Sequence, residues 1–165
     1  MKSAPNDEKG EPVMKIGFGS DHAAVELKDA LMEHLQQRGF ECVDYNDKTE
    51  DGEYPERGLA VAEAIRNGEV DKGVLVCGTG IGISLAANKV PGIRAAVCSE
   101  PYSARLTAQH NDSNIIAMGA RVVGTELAKM IVDEFFDAEF QGGRHAARVE
   151  RICAIEKKYS NSATE

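Results

Sequence analysis

Apolar positions in this chain fall into short blocks with two alternating periods. Residues 14–19 (MKIGFG) form a compact apolar run that predicts a buried strand. Residues 23–38 follow with Val25, Leu27, Leu31 and Leu35 near helical spacing, and Gly39 closes that helix as a glycine past the last turn does. The alternation continues with a strand at 40–45, a polar Gly-containing loop at 46–54, and a helix at 56–67 stopped by Gly68. The run at 73–77 (GVLVC) is continuously apolar, as expected of a strand covered on both faces of a parallel sheet. Beyond it the pattern predicts a helix at 82–89, strands at 93–98 and 114–118 flanking a helix at 101–110, and helices at 125–137 and 145–158. Strands joined through helices call for right-handed βαβ crossovers. The expected fold class is therefore α/β, a single-domain doubly wound α/β/α sandwich with a five-stranded parallel sheet (Rossmann-like).

A chain of 165 residues makes one ordinary domain. The pattern assigns that domain to 14–158, with a disordered extension at 1–13 and a loose tail at 159–165. Composition narrows the partners. With 27 acidic against 19 basic residues the net charge is −8, which argues against nucleic acid or an anionic membrane as partner. No apolar run approaches the ~18 residues of a membrane span, and the polar first twelve residues lack a secretory signal's apolar segment. A cytoplasmic location follows as the expectation, with Cys42, Cys77, Cys98 and Cys153 as reduced thiols. Their spacing shows no CxxC pair. Four histidines without HExxH or a carboxylate–histidine cluster predict neither a metal nor a cofactor.

In doubly wound sheets, ligands bind beyond the carboxyl ends of the strands. Residues 20–22, 77–82, 99–100 and 119–121 occupy those places. The loop Cys77-Gly-Thr-Gly-Ile-Gly82 carries glycines at 78, 80 and 82, so backbone can approach a ligand closely and its N–H groups can cradle an anion. Cys77 stands at the strand exit beside a helix start, where positive partial charge favours a thiolate. Thr79 adds a hydroxyl. A dinucleotide site competes, with Glu100 about twenty residues on as its ribose-binding acid. However, the third glycine of GxGxxG would fall at Ile83, and the strand is the third, not the first. Elsewhere, Asp21 is either an N-cap or a polar site residue before His22. His110 is either a helix-terminal cation or a chemical group beside Asn111. Arg144 and Arg148, four residues apart, share one helix face; they suit a phosphate or form a solvated basic face.

GSDHA (19–23), Glu53-Tyr54-Pro55, VCGTGIGISLAANKVPGIRAAVCSEPYSARLTAQHND (76–112), GARVVG (119–124) and GGRHAARV (142–149) together resemble ribose-5-phosphate isomerase type B. That family includes galactose-6-phosphate and allose-6-phosphate isomerases. The resemblance runs from about Met14 to Glu156. It implies aldose–ketose isomerisation of ribose 5-phosphate and ribulose 5-phosphate through a cis-enediolate. In that reading Cys77 is the base, Thr79 orients or protonates substrate oxygens, and N–H groups of Gly78 to Gly82, Gly80 included, stabilise the enediolate. His110 opens the furanose ring with Asp21 assisting. His22, Tyr54, Asn111 and Arg121 line the pocket, and Arg144 and Arg148 hold the phosphate. The family's sites are shared across a subunit interface, so a homodimer or dimer of dimers is implied. Some members carry serine at the Cys77 position and a glutamate at that of Ile83. Here the latter position is apolar, which leaves the thiol. A hexose 6-phosphate remains the alternative substrate, and a nucleotide-binding module is the alternative from another class.

Overall fold

The computed structural model describes residues 12–48 and 52–160. Most of the expected extension, and the tail beyond residue 160, lie outside them. Five strands and six helices alternate: β1 (Lys15–Ser20), α1 (Val25–Gln37), β2 (Glu41–Asp44), α2 (Tyr54–Arg66), β3 (Lys72–Cys77), α3 (Ile81–Ala87), β4 (Ala95–Val97), α4 (Pro101–Asn111), β5 (Ile115–Gly119), α5 (Thr125–Asp137) and α6 (Arg144–Ser160). The sheet order is β2-β1-β3-β5-β4, and every pairing is parallel. The α/β expectation holds, with the chain reversing direction across the sheet between β1 and β3.

Most element ends differ from the sequence reading by one or two residues, and α6 runs through Ser160 into the expected tail. The loop expected at 46–54 contains a short 3₁₀ turn, Asn46–Lys48, and its last residue opens α2. Pro55 fits the first turn of that helix because its missing N–H has no partner there. Glu56 returns a carboxylate oxygen to the Glu53 N–H at 3.1 Å, closing the start.

Alternating strand residues serve two cores. Ile16, Phe18, Val74, Val76, Ile116 and Met118 pack beneath α1, α4 and α5. Leu75, Cys77, Ile115 and Ala117 face α2 and α3 together with Val61 and Ile83. At ~1.5–3 kcal/mol for each large side chain buried, these two layers supply most of the driving force for folding. Ile83 is fully buried, so its side chain points into this core.

A polar network fixes the carboxyl end of β1. Buried Lys28 donates to Asp29 at 2.6 Å and to Asp44. Burial opposes its charge, but its hydrogen bonds to the Asp29 and Asp44 carboxylates, with their negative charge, outweigh it and raise the Lys28 pKa. Asp44 also accepts from the Asn46 N–H, and Asn46 bonds both the N–H and the hydroxyl of Ser20 at 2.9 Å. The residue after Ser20 is Asp21, so this network sets where the cleft begins.

Candidate active site

Beyond the carboxyl ends of β1, β3 and β5 lies a cleft of about 400 Å³ lined by Asp21, Tyr54, Cys77, Gly78, Thr79, Ile81, Gly82 and Arg121. It opens at the point where the strand order reverses, the place that chain topology reserves for ligands in such sheets. The β3 and β5 ends are pinned together by Ala120 N–H to Cys77 O at 2.8 Å and Arg121 N–H to Gly78 O at 3.1 Å. That pinning brings the Arg121 side chain over Gly78.

The loop geometry demands glycine at two positions. Gly80 has φ of +81°, and a Cβ there would stand 2.7 Å from the Met118 carbonyl carbon. A Cβ on Gly82 would lie 2.7 Å from the Tyr54 ring, so glycine lets the tyrosine close over the loop. The turn that results aims the Gly80 N–H at the Cys77 sulfur, 3.1 Å away. Thr79 Oγ1 accepts the Ile81 N–H at 3.3 Å. Burial, then Glu41, pushes the Cys42 thiol up to about 12, and burial, then Glu100, pushes Cys98 up to about 11. Both are locked as thiols away from the cleft, and all four cysteines are free.

Competing sequence readings resolve here. Asp21 is not the N-cap of α1, which is Ala24; its carboxylate instead accepts the Ala23 N–H at 3.0 Å in a local turn that leaves it at the cleft. Glu100, the ribose-binding acid of a dinucleotide reading, caps α4 through the Ser103 N–H at 2.9 Å. His22 is exposed beside Asp21 without lining the cleft.

His110, Asn111, Arg144 and Arg148 gather elsewhere. Every strand is parallel, so α4 starts at the carboxyl end of β4 and must end at the amino end of β5, where His110 and Asn111 lie. From the level of Ile115 to that of Cys77 the sheet rises four residue steps, or about 13 Å at ~3.3 Å per residue. Within one chain His110 and the Cys77 loop therefore occupy opposite ends of the sheet. The α6 start joins His110: the Gln141 N–H donates to Gln109 O at 3.0 Å, and the His145 ring stacks on His110 at 4.1 Å with a 4° interplanar angle. His145 is a functional candidate that the sequence pattern missed. It sits between the two arginines in GGRHAARV, but nothing local pairs it with a residue 35 positions earlier. Burial, then the charges of His110, Arg144 and Arg148, lowers its pKa and favours a neutral ring. Arg144 and Arg148 are exposed beside it.

A family model described as Ribose/Galactose Isomerase matches residues 16–152. The chain belongs to this family. Ribose-5-phosphate isomerase B of Escherichia coli strain K12 is 56% identical over 145 residues, 87% of this chain and 97% of that protein. Among solved structures, Clostridium thermocellum ribose-5-phosphate isomerase B is also 56% identical, with a TM-score of 0.84 over 88% of this chain and 99% of that one. Ribose-5-phosphate isomerase B of Mycoplasma genitalium, solved with bound ribulose 5-phosphate, is 36% identical with a TM-score of 0.82, covering 89% and 99%. The chain is a sugar-phosphate isomerase.

Proposed function

We propose that this isomerase interconverts ribose 5-phosphate and ribulose 5-phosphate, with Cys77 as the base. The observation that carries the reading is the sulfur held at the floor of the cleft by a backbone N–H, next to a hydroxyl and a guanidinium. A C–H beside a carbonyl is a weak acid, so its removal needs a positioned base and stabilisation of the oxyanion. The Cys77 thiolate takes the C2 proton of the open-chain aldose. The electron pair moves into a C1=C2 bond, and O1 becomes the enediolate oxygen. Return of the proton to C1, with transfer of the O2 proton to O1, yields the 2-ketose. Thr79 and the loop N–H groups other than those of Gly80 and Ile81, which bond Cys77 and Thr79, serve the oxygens that gain charge, and Asp21, Tyr54 and Arg121 hold the sugar. The two relatives named for ribose 5-phosphate at 56% identity and the ribulose 5-phosphate complex support the pentose.

The separation of His110 from Cys77 supports a homodimer with shared sites. Large apolar residues stand exposed around the cleft: Ile81 at 54% and Leu85 at 58% on one face of α3, and Val122 at 59%. Others lie exposed on α6, Ile152 and Ile155 among them. A two-fold axis pairing the cleft end of one copy with the α4–α6 end of the other covers both patches. It also carries His110, Asn111, Arg144 and Arg148 to the partner's cleft, with His110 opening the ring and the arginines holding the phosphate. Among the described residues no helix is long and apolar enough to cross a membrane, and a cytoplasmic location agrees with this metabolic role.

The substrate is tested by comparing kcat/KM for ribose 5-phosphate with those for allose 6-phosphate and galactose 6-phosphate. Preference for the pentose is expected; a hexose preference replaces the substrate while keeping the mechanism. Arg144→Ala and Arg148→Ala should each raise KM for ribose 5-phosphate by roughly tenfold or more, since a charge-assisted contact contributes about 1.5–3 kcal/mol. An unchanged KM returns the two arginines to the solvated basic face.

A further inference from the structure

Arg94 precedes β4 and lies outside the cleft, yet its side chain converges on the end of α4. Its Nε donates to the Asn111 carbonyl at 3.0 Å and to that of Asp112 at 3.1 Å. Its Nη2 donates to the Asp112 carbonyl at 2.7 Å and pairs with the Asp112 carboxylate at 3.2 Å. The last carbonyls of a helix have no partners within it, and a cation there also meets the negative end of the helix dipole. Asp112 itself has φ of +47°, the single non-glycine residue in the left-handed region among those described. Such a conformation is unfavourable for an L-residue and persists where its surroundings over-determine it. Here the guanidinium does so, gripping the turn by both backbone and side chain.

The same residue is tied in from its own backbone. The Arg94 N–H donates to Asn114 Oδ1 at 2.9 Å, and its carbonyl accepts the Asn114 N–H at 3.1 Å. Two contacts reach α6: Arg94 Nη1 lies 4.0 Å from Cys153 Sγ, and Glu156 accepts the Gly92 N–H at 3.0 Å. Arg94 thus joins the end of α4, which bears His110 and Asn111, to the helix that bears His145, Arg144 and Arg148.

We propose that Arg94 is a positioning residue for ring opening: its clamp on Asn111 and Asp112 sets the orientation of His110. The proposal rests on the ring-opening reading of His110, and its test separates the two. Ribose 5-phosphate must be opened before isomerisation, whereas D-erythrose 4-phosphate, esterified at O4, cannot form a furanose. Arg94→Met should lower kcat for ribose 5-phosphate by about ten- to a hundredfold with KM within about twofold, as a reacting group displaced by up to ~1 Å would. Turnover of erythrose 4-phosphate should fall by less than about threefold, because proton transfer at Cys77 does not use the clamp. Arg94→Lys, which keeps the charge but loses the fork, should fold and show the same selective defect in milder form. Asp112→Gly in the Arg94→Met background should restore most of the lost turnover, because glycine holds the left-handed turn without a clamp.

Equal losses on the two sugars for both Arg94 variants make Arg94 a structural residue and overturn the proposal. So does a selective loss that Asp112→Gly leaves unrelieved. His110→Ala is the reference. If it is selective for the cyclic sugar and neither Arg94 variant is, Arg94 alone is wrong. If His110→Ala itself affects both sugars equally, the ring-opening role falls and the positioning role falls with it.

Discussion

Cys77→Ala should abolish exchange of the C2 proton of ribose 5-phosphate with solvent and lower kcat by about 10²–10⁴-fold, the range a positioned base supplies. The structure makes this a clean experiment. Cys77 is 4% exposed, so the variant removes one sulfur, and with it the acceptor of the Gly80 N–H, from a packed position whose loop is otherwise shaped by its glycines. Pinning of β3 to β5 through the Cys77 and Gly78 carbonyls does not involve the side chain. Sugar-phosphate affinity, read by calorimetry, should therefore stay near that of the parent protein. Cys42 and Cys98 cannot substitute, because burial holds both thiols protonated well above neutral pH. Retained proton exchange in Cys77→Ala would remove the thiol from the mechanism and point to another group in the cleft, with Asp21 the first to try.

The second large effect concerns two inactive proteins that repair each other. Cys77→Ala and His110→Ala should each turn over ribose 5-phosphate poorly. In a mixed dimer with shared sites, one cleft combines both defects and the other combines an intact Cys77 with an intact His110. After subunit exchange at equal concentrations, about a quarter of parental activity should return, since half the dimers are mixed and half their sites are intact. Native mass spectrometry counts the mixed species independently. Mixed dimers without recovered activity would place both groups in one subunit's site, and a monomeric protein would end the shared-site reading. The parallel topology is what makes recovery the expected result. No rotamer of His110 spans the sheet from the amino end of β5 to the carboxyl end of β3.

The legible parts of the fold are those where physics is local. The continuous apolar run at 73–77 becomes the central strand, and helix-period leucines at 27, 31 and 35 line the core side of α1. Gly80 and Gly82 were readable as a close backbone approach, though not what they approach, which is Met118 and Tyr54. Asp21 shows the limit: an aspartate before a helix is equally plausible as a cap, and the choice depended on Ala24 starting the helix three residues later. His145 lies within GGRHAARV, but its partner is on another helix, so no window of sequence reveals the stack. Arg94 lies within the longest stretch of resemblance and carries no signal of its own, because most of its partners are backbone carbonyls that any residue supplies and the Asp112 carboxylate is 18 positions away.

By itself the sequence determined the α/β alternation, the cysteine in a glycine-rich turn, and the family, because hydrophobic period, turn chemistry and motif spacing are all encoded along the chain. Tertiary structure alone decided which chemical groups stand together. Parallel strands force each crossover helix back to the amino end of the sheet, so residues at the start and the end of such a helix are carried to opposite poles. That geometry puts Cys77, Thr79, Asp21 and Arg121 around one cleft and leaves His110, His145 and the two arginines at the other end, where Arg94 grips the last residues of α4.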